Sequence, residues 1–316
     1  MPSNIKRMCL ALVLVAAMLL SSACQPKAPQ ENPAVSKALA WLRTQQQADG
    51  SFNAGFGHPA GVTCDVALAI AAAGGDPATW RAAEGQPSIM DYLAASANEY
   101  TVDVASTAKL IVTLVAAGRD PRQWNGQDLL ARLKSFAQSE GVYDSSGAGQ
   151  AWAVLALAAA GDKQPAAVNA LKAQQLESGA WLSAFGPDND TTSFALQALI
   201  AGGEPKNSAA IQKALTFFES QQNDDGGFPA IKPSDWGTDT NANSTASVIM
   251  ALAAVGEKPT AKRWSKAGGD PLKALSALQA ADGRIEFQPG VGNPLLSTAQ
   301  AIPALLGKTL PLRAKR

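Results

Sequence analysis

Two kinds of apolar run alternate along the chain, and the difference between them predicts the architecture. The first kind repeats apolar residues three and four positions apart and keeps charge on the other face, as a helix buried on one side requires. SKALAWLRTQQ (36–46), SIMDYLAASA (88–97), DLLARLKSFAQ (128–138), AAVNALKAQQ (166–175), AAIQKALTFFESQQ (209–222) and DPLKALSALQ (270–279) are of this kind. The second kind is nearly uncharged all round: VALAIAAAGG (66–75), VASTAKLIVTLVAAG (104–118), AWAVLALAAAG (151–161), TSFALQALIAGG (192–203), TASVIMALAAVG (245–256) and STAQAIPALLG (297–307). Each ends on glycine, as a helix stopped by a glycine C-cap does. A helix without a charged face must be enclosed. The second set therefore predicts an inner layer and the first set an outer one.

Within each pair, a glycine is followed two places later by a bulky residue. Gly50-Ser-Phe52, Gly141-Val-Tyr143, Gly179-Ala-Trp181, Gly226-Gly-Phe228 and Gly283-Arg-Ile285 show this, and Asn98-Glu-Tyr100 is a degenerate sixth member. The units recur every 38 to 57 residues, so about six helix pairs fill the chain. Such pairs build an all-α array, closed as a ring or open as a solenoid. GGDPATW (74–80), GRDPRQW (118–124) and GEKPTAKRW (256–264) mark the return from inner to outer helix. Proline after the glycine blocks helix continuation, and the tryptophan is placed to pack over the barrel end.

The stretch before the glycine carries a signature. KALAWLRTQQQADGSF (37–52) sets Ala38, Trp41, Leu42, Gln46, Gly50 and Phe52 at fixed offsets. KALTFFESQQNDDGGF (213–228) repeats it through Ala214, Phe217, Phe218, Gln222, Gly226 and Phe228. Gln175, Gly179 and Trp181 keep the ending intact, and Gln279, Gly283 and Ile285 give a weaker copy. These residues resemble the QW motif of squalene cyclases, and residues 34–307 resemble the prenyltransferase and squalene cyclase repeat family. The resemblance implies an α/α toroid (α6/α6 barrel) closed at six pairs over 34–312. It also implies that the glutamine ties a helix end to the next turn and that the aromatic packs between pairs.

The same resemblance locates candidate chemistry. In GPDNDTTSFALQAL (186–199), Asp188-Asn-Asp190-Thr191 falls where class II terpene cyclases carry a D-x-D-D acid that protonates an alkene or epoxide. Thr191 stands in place of the last aspartate. On the residues alone, Asp190 or Thr191 reads as an N-cap. Related prenyltransferases hold zinc with aspartate, cysteine and histidine. Here His58, Cys64 and Asp65 come in the wrong order and no second histidine exists, so no metal and no cofactor is expected. The turn QQNDDGGF (221–228) is no calcium loop either, because Lys232 occupies the twelfth position, where glutamate is required.

Polar residues begin five of the six inner runs: Asp65, Asp103, Asp190 with Thr191, Asn243 with Thr245, and Ser297 with Thr298. Each reads as a cap. Together they gather helix N-termini and polar side chains at one end of a ring, a polar rim above an apolar shaft that suits an amphiphilic ligand. Asp188 and Asp190 are the catalytic candidates, and Asp65, Asp103, Asp190, Thr191, Asn243, Thr245 and Ser297 are the ligand-binding candidates.

Residues 1–23 read as a signal peptide: Lys6 and Arg7 precede CLALVLVAAMLL (9–20), an apolar run too short to span a bilayer. SSAC (21–24) resembles a bacterial lipoprotein site with lipid added to Cys24, although Ser21 stands where leucine is usual. QPKAPQENP (25–33) then forms a polar tether. Plain cleavage after Ala23 would instead give a secreted or periplasmic protein. The 26 basic and 26 acidic residues offer no cationic surplus for nucleic acid. Beyond Cys24 only Cys64 remains, so no internal disulfide is available. The expectation is an extracytoplasmic, membrane-tethered toroid, non-catalytic, that binds a small hydrophobic or amphiphilic ligand or a protein partner. The alternatives are a terpenoid cyclase or prenyltransferase-type enzyme and, third, a polysaccharide-lyase-like enzyme.

Overall fold

The computed structural model describes residues 32–312 apart from Trp236, and every element below belongs to the unit that begins at Pro33. The expected signal peptide, Cys24 and the tether up to Glu31 lie outside the described residues. Six helices form the outer layer: α1 (Pro33–Arg43), α3 (Ile89–Tyr100), α5 (Leu129–Ser135), α7 (Pro165–Ala173), α9 (Ala209–Gln221) and α11 (Pro271–Ala277). Six alternate with them as the inner layer: α2 (Pro59–Ala72), α4 (Val104–Ala116), α6 (Gly147–Ala159), α8 (Asn189–Gly202), α10 (Ala242–Val255) and α12 (Pro294–Leu305). A short antiparallel hairpin, β1 (Trp181–Ser183) with β2 (Gly186–Asp188), leads into α8.

Each inner helix packs on the next, and α12 packs back on α2, so the array is a closed α/α toroid. The inner helices run parallel. The Ser244 hydroxyl in the first turn of α10 donates to Asp190 in the first turn of α8 (2.9 Å), and Ser297 near the start of α12 donates to Asn243 of α10 (2.7 Å). All six inner N-termini therefore share one end of the ring. The inner layer is built largely of fully buried alanine, leucine, isoleucine and valine, with Phe52, Trp181, Phe218, Phe228 and Trp264 filling the space between pairs.

Closure rests on glutamines. The Gln222 amide donates both to Gly226 O in its own turn (2.9 Å) and to Trp264 O ahead of the next outer helix (2.7 Å). Gln46 does the same to Gly50 and Trp80, and Gln175 to Gly179 and Ala210. Gln279 reaches Gly283 (3.0 Å) and then Ala34 of α1 (2.8 Å), which joins the last unit to the first. The third unit has no glutamine at that position. Gln150 of α6 substitutes from the inside, donating to Gly141 O and Ala167 O and accepting from Tyr143 N.

Inner helices begin earlier than the apolar runs predict: at 59, 147, 189, 242 and 294, against 66, 151, 192, 245 and 297. The residues the pattern omits, Asn189-Asp-Thr191, Ala242-Asn-Ser244 and Gly147-Ala-Gly-Gln150 among them, are mostly polar or small, so a hydrophobic run does not register them. A second device ties the turn to the inner helix. In four units a threonine on the inner helix accepts from the backbone N–H of the bulky turn residue: Thr63 from Phe52, Thr192 from Trp181, Thr245 from Phe228 and Thr298 from Ile285, at 2.8–3.1 Å. These threonines are fully buried.

At the opposite end of the ring the chain turns after α12 and folds back over the shaft. Gln197 of α8 accepts from the Leu310 N–H (2.9 Å) and from the Thr309 hydroxyl (3.1 Å), which seats Leu310 in the barrel at 5% exposure.

The turn glycine carries a direct test. Gly226 has φ +92°, and a Cβ there would lie 2.6 Å from the Asp270 backbone of the next unit. Gly161 has φ +74° and open space around it. Gly161→Ala should cost about 1–2 kcal/mol from left-handed strain alone, and Gly226→Ala at least about 3 kcal/mol, because the unit junction must also move. Urea unfolding midpoints measure both, and equal losses would refute the tight junction.

Candidate functional site

Side chains from all six inner helices form a continuous belt inside the ring. Asp65 of α2 pairs with Lys109 of α4 at 2.7 Å. The Lys109 ammonium lies 5.9 Å from the centre of the Trp152 ring on α6, and Trp152 stacks at a tilt on Phe194 of α8 (5.1 Å between centroids). Asp190, one helical turn before Phe194, accepts hydrogen bonds from Ser244 and Ser247 of α10. Asn243 of α10 takes the Ser297 hydroxyl of α12, and Gln300 of α12 hydrogen-bonds to Asp65, which completes the circuit. Asp65, Trp152, Phe194, Ser247 and Gln300 surround a cavity of about 30 Å³, which Leu310 bounds. That is room for a water or two, against the roughly 300–1,000 Å³ of an ordinary ligand pocket.

The D-x-D-T stretch divides its labour. Asp188, not Asp190 or Thr191, is the N-cap of α8: its carboxylate accepts from Thr191 N at 2.6 Å. Asp190 is thereby free of capping duty and partly buried at the belt. Burial, reinforced by the negative charge of Asp188, pushes its carboxyl up to about 6, and the hydroxyls of Ser244 and Ser247 only partly oppose this. Burial likewise pushes the Asp65 carboxyl up, countered by Lys109 and Gln300.

The remaining sequence candidates scatter. Asp103 caps α4 and forms a capping box with Ser106. Asp65 begins nothing: it lies at the seventh residue of α2, whose cap is His58, with Nδ1 accepting from Ala60 N. Cys64 is fully buried, and burial raises its thiol to about 12, so thiolate chemistry is closed to it. Thr191 is buried in the first turn of α8, and Thr245 is committed to Phe228 and buried away from any ligand. Asn243 and Ser297 bind each other at the belt.

Sequence reasoning missed Lys109, Trp152, Phe194, Ser247 and Gln300. A signal was present for Lys109, the one cation in an otherwise uncharged inner run, and for Phe194, spaced one turn from Asp190.

Asp190 has a stability signature. Its folded-state pKa, near 6, exceeds the ordinary 3.8. The native state therefore holds the proton more tightly, and stability falls as pH rises through 6. Asp190→Asn should leave stability unchanged below pH 4 and raise it by about 2–3 kcal/mol at pH 7.5. Urea unfolding at the two pH values checks this, and a less stable variant at pH 7.5 would contradict it.

Comparison with known proteins places this geometry. Residues 3–151 match the prenyltransferase alpha-alpha toroid domain, and residues 163–288 match the squalene-hopene cyclase C-terminal domain. No curated protein sequence matches the chain. Among solved structures, the type II terpene cyclase MstE from Scytonema is similar at 15% identity, covering 87% of this chain and 96% of its own, with a TM-score of 0.61. The ent-copalyl diphosphate synthase from Streptomyces platensis is similar at 16% identity, covering 78% and 50%, with a TM-score of 0.56. A structure described as a glycosidase is similar at 13% identity, covering 86% and 95%, with a TM-score of 0.54. At such identities the likeness is one of fold. With both family matches and the closed ring of glutamine-stapled helix pairs, the chain belongs to the prenyltransferase and squalene cyclase repeat family of α/α toroids.

Proposed function

We propose that the protein is an extracytoplasmic, membrane-tethered binding toroid that takes its ligand or partner at the inner-helix N-terminal end and performs no cyclisation. The observation that carries this reading is the closed shaft. A cavity of about 30 Å³ beneath the Asp65–Lys109–Trp152–Asp190 belt admits no isoprenoid chain. A hollow of about 520 Å³ lies at the opposite end beside Gly307 and Leu312, but the mouth above the belt is where carboxylate, ammonium, amide and aromatic groups converge. The tether through Cys24 is part of this proposal and follows from the N-terminal pattern alone.

One observation favours a second reading, protonation-initiated terpenoid cyclisation. Asp190 has the raised pKa of a general acid, and Trp152 and Phe194 offer ring faces to a carbocation. In that chemistry the Asp190 proton would pass to one alkene carbon, leaving a carboxylate and a cation on the neighbouring carbon. The reading requires the shaft to open by several hundred Å³, with Leu310 withdrawn.

Native mass spectrometry of the protein purified from its own host, run beside turnover assays on squalene and polyprenyl diphosphates, separates the two. The binding reading predicts a retained molecule or partner, lost or reduced at least fivefold in Trp152→Leu, and no turnover. Turnover abolished by Asp190→Asn would replace it with the cyclase reading.

A further inference from the structure

The six loops that lead from outer to inner helices differ in character from the rest of the surface. Among the described residues five large hydrophobic side chains are exposed: Phe56 (61%), Val102 (68%), Leu182 (42%), Phe185 (101%) and Val291 (58%). All five lie in these loops, immediately ahead of α2, α4, α8 and α12. The inner helices are parallel, so the loops share one end of the toroid and ring the mouth above the belt. Phe185, at the tip of the β1–β2 hairpin, projects fully into solvent. Exposed apolar side chains gathered at one end of a molecule mark an interaction surface.

Charge identifies what the surface accepts. The same loops (44–58, 101–103, 136–146, 174–188, 222–241 and 278–293) contain twelve aspartates and glutamates against two cations, Lys232 and Arg284. Arg284 is already bound between Asp282 and Glu286. Lys232 is held by Gln222 O and Asn223. The loops at the opposite end, among the described residues, hold ten cations against eight carboxylates. An anionic lipid surface would be repelled by the acidic face despite its apolar side chains. A second copy presenting its opposite end would offer too small a positive surplus to neutralise it.

We propose that this face docks a basic polypeptide segment bearing apolar side chains, with Phe185 and Leu182 as apolar anchors and the rim carboxylates as partners for lysine and arginine. The inference deepens the binding reading above and rests on it, since it names the partner class. A rim of separate loops suits an amphipathic helix, whose apolar and basic groups are spread over a comparable width.

The test uses the purified full-length protein and two fluorescent helical peptides, one of lysine and leucine and one of glutamate and leucine in the same order. Fluorescence anisotropy should show the lysine peptide binding at least tenfold tighter than the glutamate peptide. The Phe185→Ser, Leu182→Ser double variant should weaken that binding about tenfold, and Asp235→Asn, Asp239→Asn should reduce its salt dependence. All four positions are exposed, so folding is preserved. Lys206→Gln at the opposite end should leave binding unchanged. Equal binding of both peptides, or binding insensitive to Phe185 and Leu182, would overturn the inference. So would Phe185-dependent sedimentation with phosphatidylglycerol vesicles, or concentration-dependent stacking of the protein on itself. A small molecule retained in native mass spectrometry with no peptide binding would sink this inference and leave the binding reading standing. Cyclase turnover would remove both.

Discussion

A glutamine that satisfies two carbonyls at once is the constraint on which the ring depends. Each repeat ends an outer helix in a glycine turn whose carbonyl faces the interior, and each next outer helix begins with another unsatisfied carbonyl close by. Gln46, Gln175, Gln222 and Gln279 each bridge such a pair. Leaving either acceptor buried without a donor costs about 1–3 kcal/mol. The bridge also fixes the angle between successive pairs, and with Gln150 five of the six junctions carry one, the last bringing Gln279 to Ala34. The use of Gln150 from the inner helix in the third unit shows that the bonds are conserved in space even where the sequence position is not.

Parallel inner helices follow from that closure, and so does the asymmetry between the two ends. One end collects the helix N-termini, the acidic loops and the exposed apolar side chains. The other is closed by the chain turning back on Gln197. The belt lies between them, and its groups are mostly spoken for. Asp65 has Lys109 and Gln300, Asp190 has two serines, and Asn243 has Ser297. Such a circuit holds six helices in register, and in the proposed reading it leaves the mouth, rather than the shaft, to a ligand or partner.

Much of this was legible in the sequence because it is periodic. Two kinds of run, five glycine turns and the recurring glutamine specify helix pairs, layer order and the outer-helix positions to within a few residues. The site was less legible for physical reasons. Polar and small residues ahead of the apolar runs, such as Asn189-Asp-Thr191 and Ala242-Asn-Ser244, made the first turns of the inner helices look like loops. Residues placed at helix starts, such as Asp65 and Thr245, therefore turned out to sit inside helices with quite different duties. The capping role also moved, from Asp190 to Asp188, and that two-residue shift turns Asp190 from a structural aspartate into a partly buried acid. Lys109 and Gln300 acquire meaning only when α2, α4 and α12 are side by side, which no local pattern encodes. The acidic, apolar-studded face is spread over six loops separated by whole helix pairs, and it emerges as a surface only after closure.

The central claim is that the shaft is filled and that recognition happens at its mouth. A high-resolution crystal structure of the protein purified from its own host tests this most directly. The account predicts Leu310 seated beneath Trp152 and Phe194, with at most one or two waters beside Asp65 and Gln300. Continuous elongated density running along the shaft past Asp190, with Leu310 displaced, would contradict it.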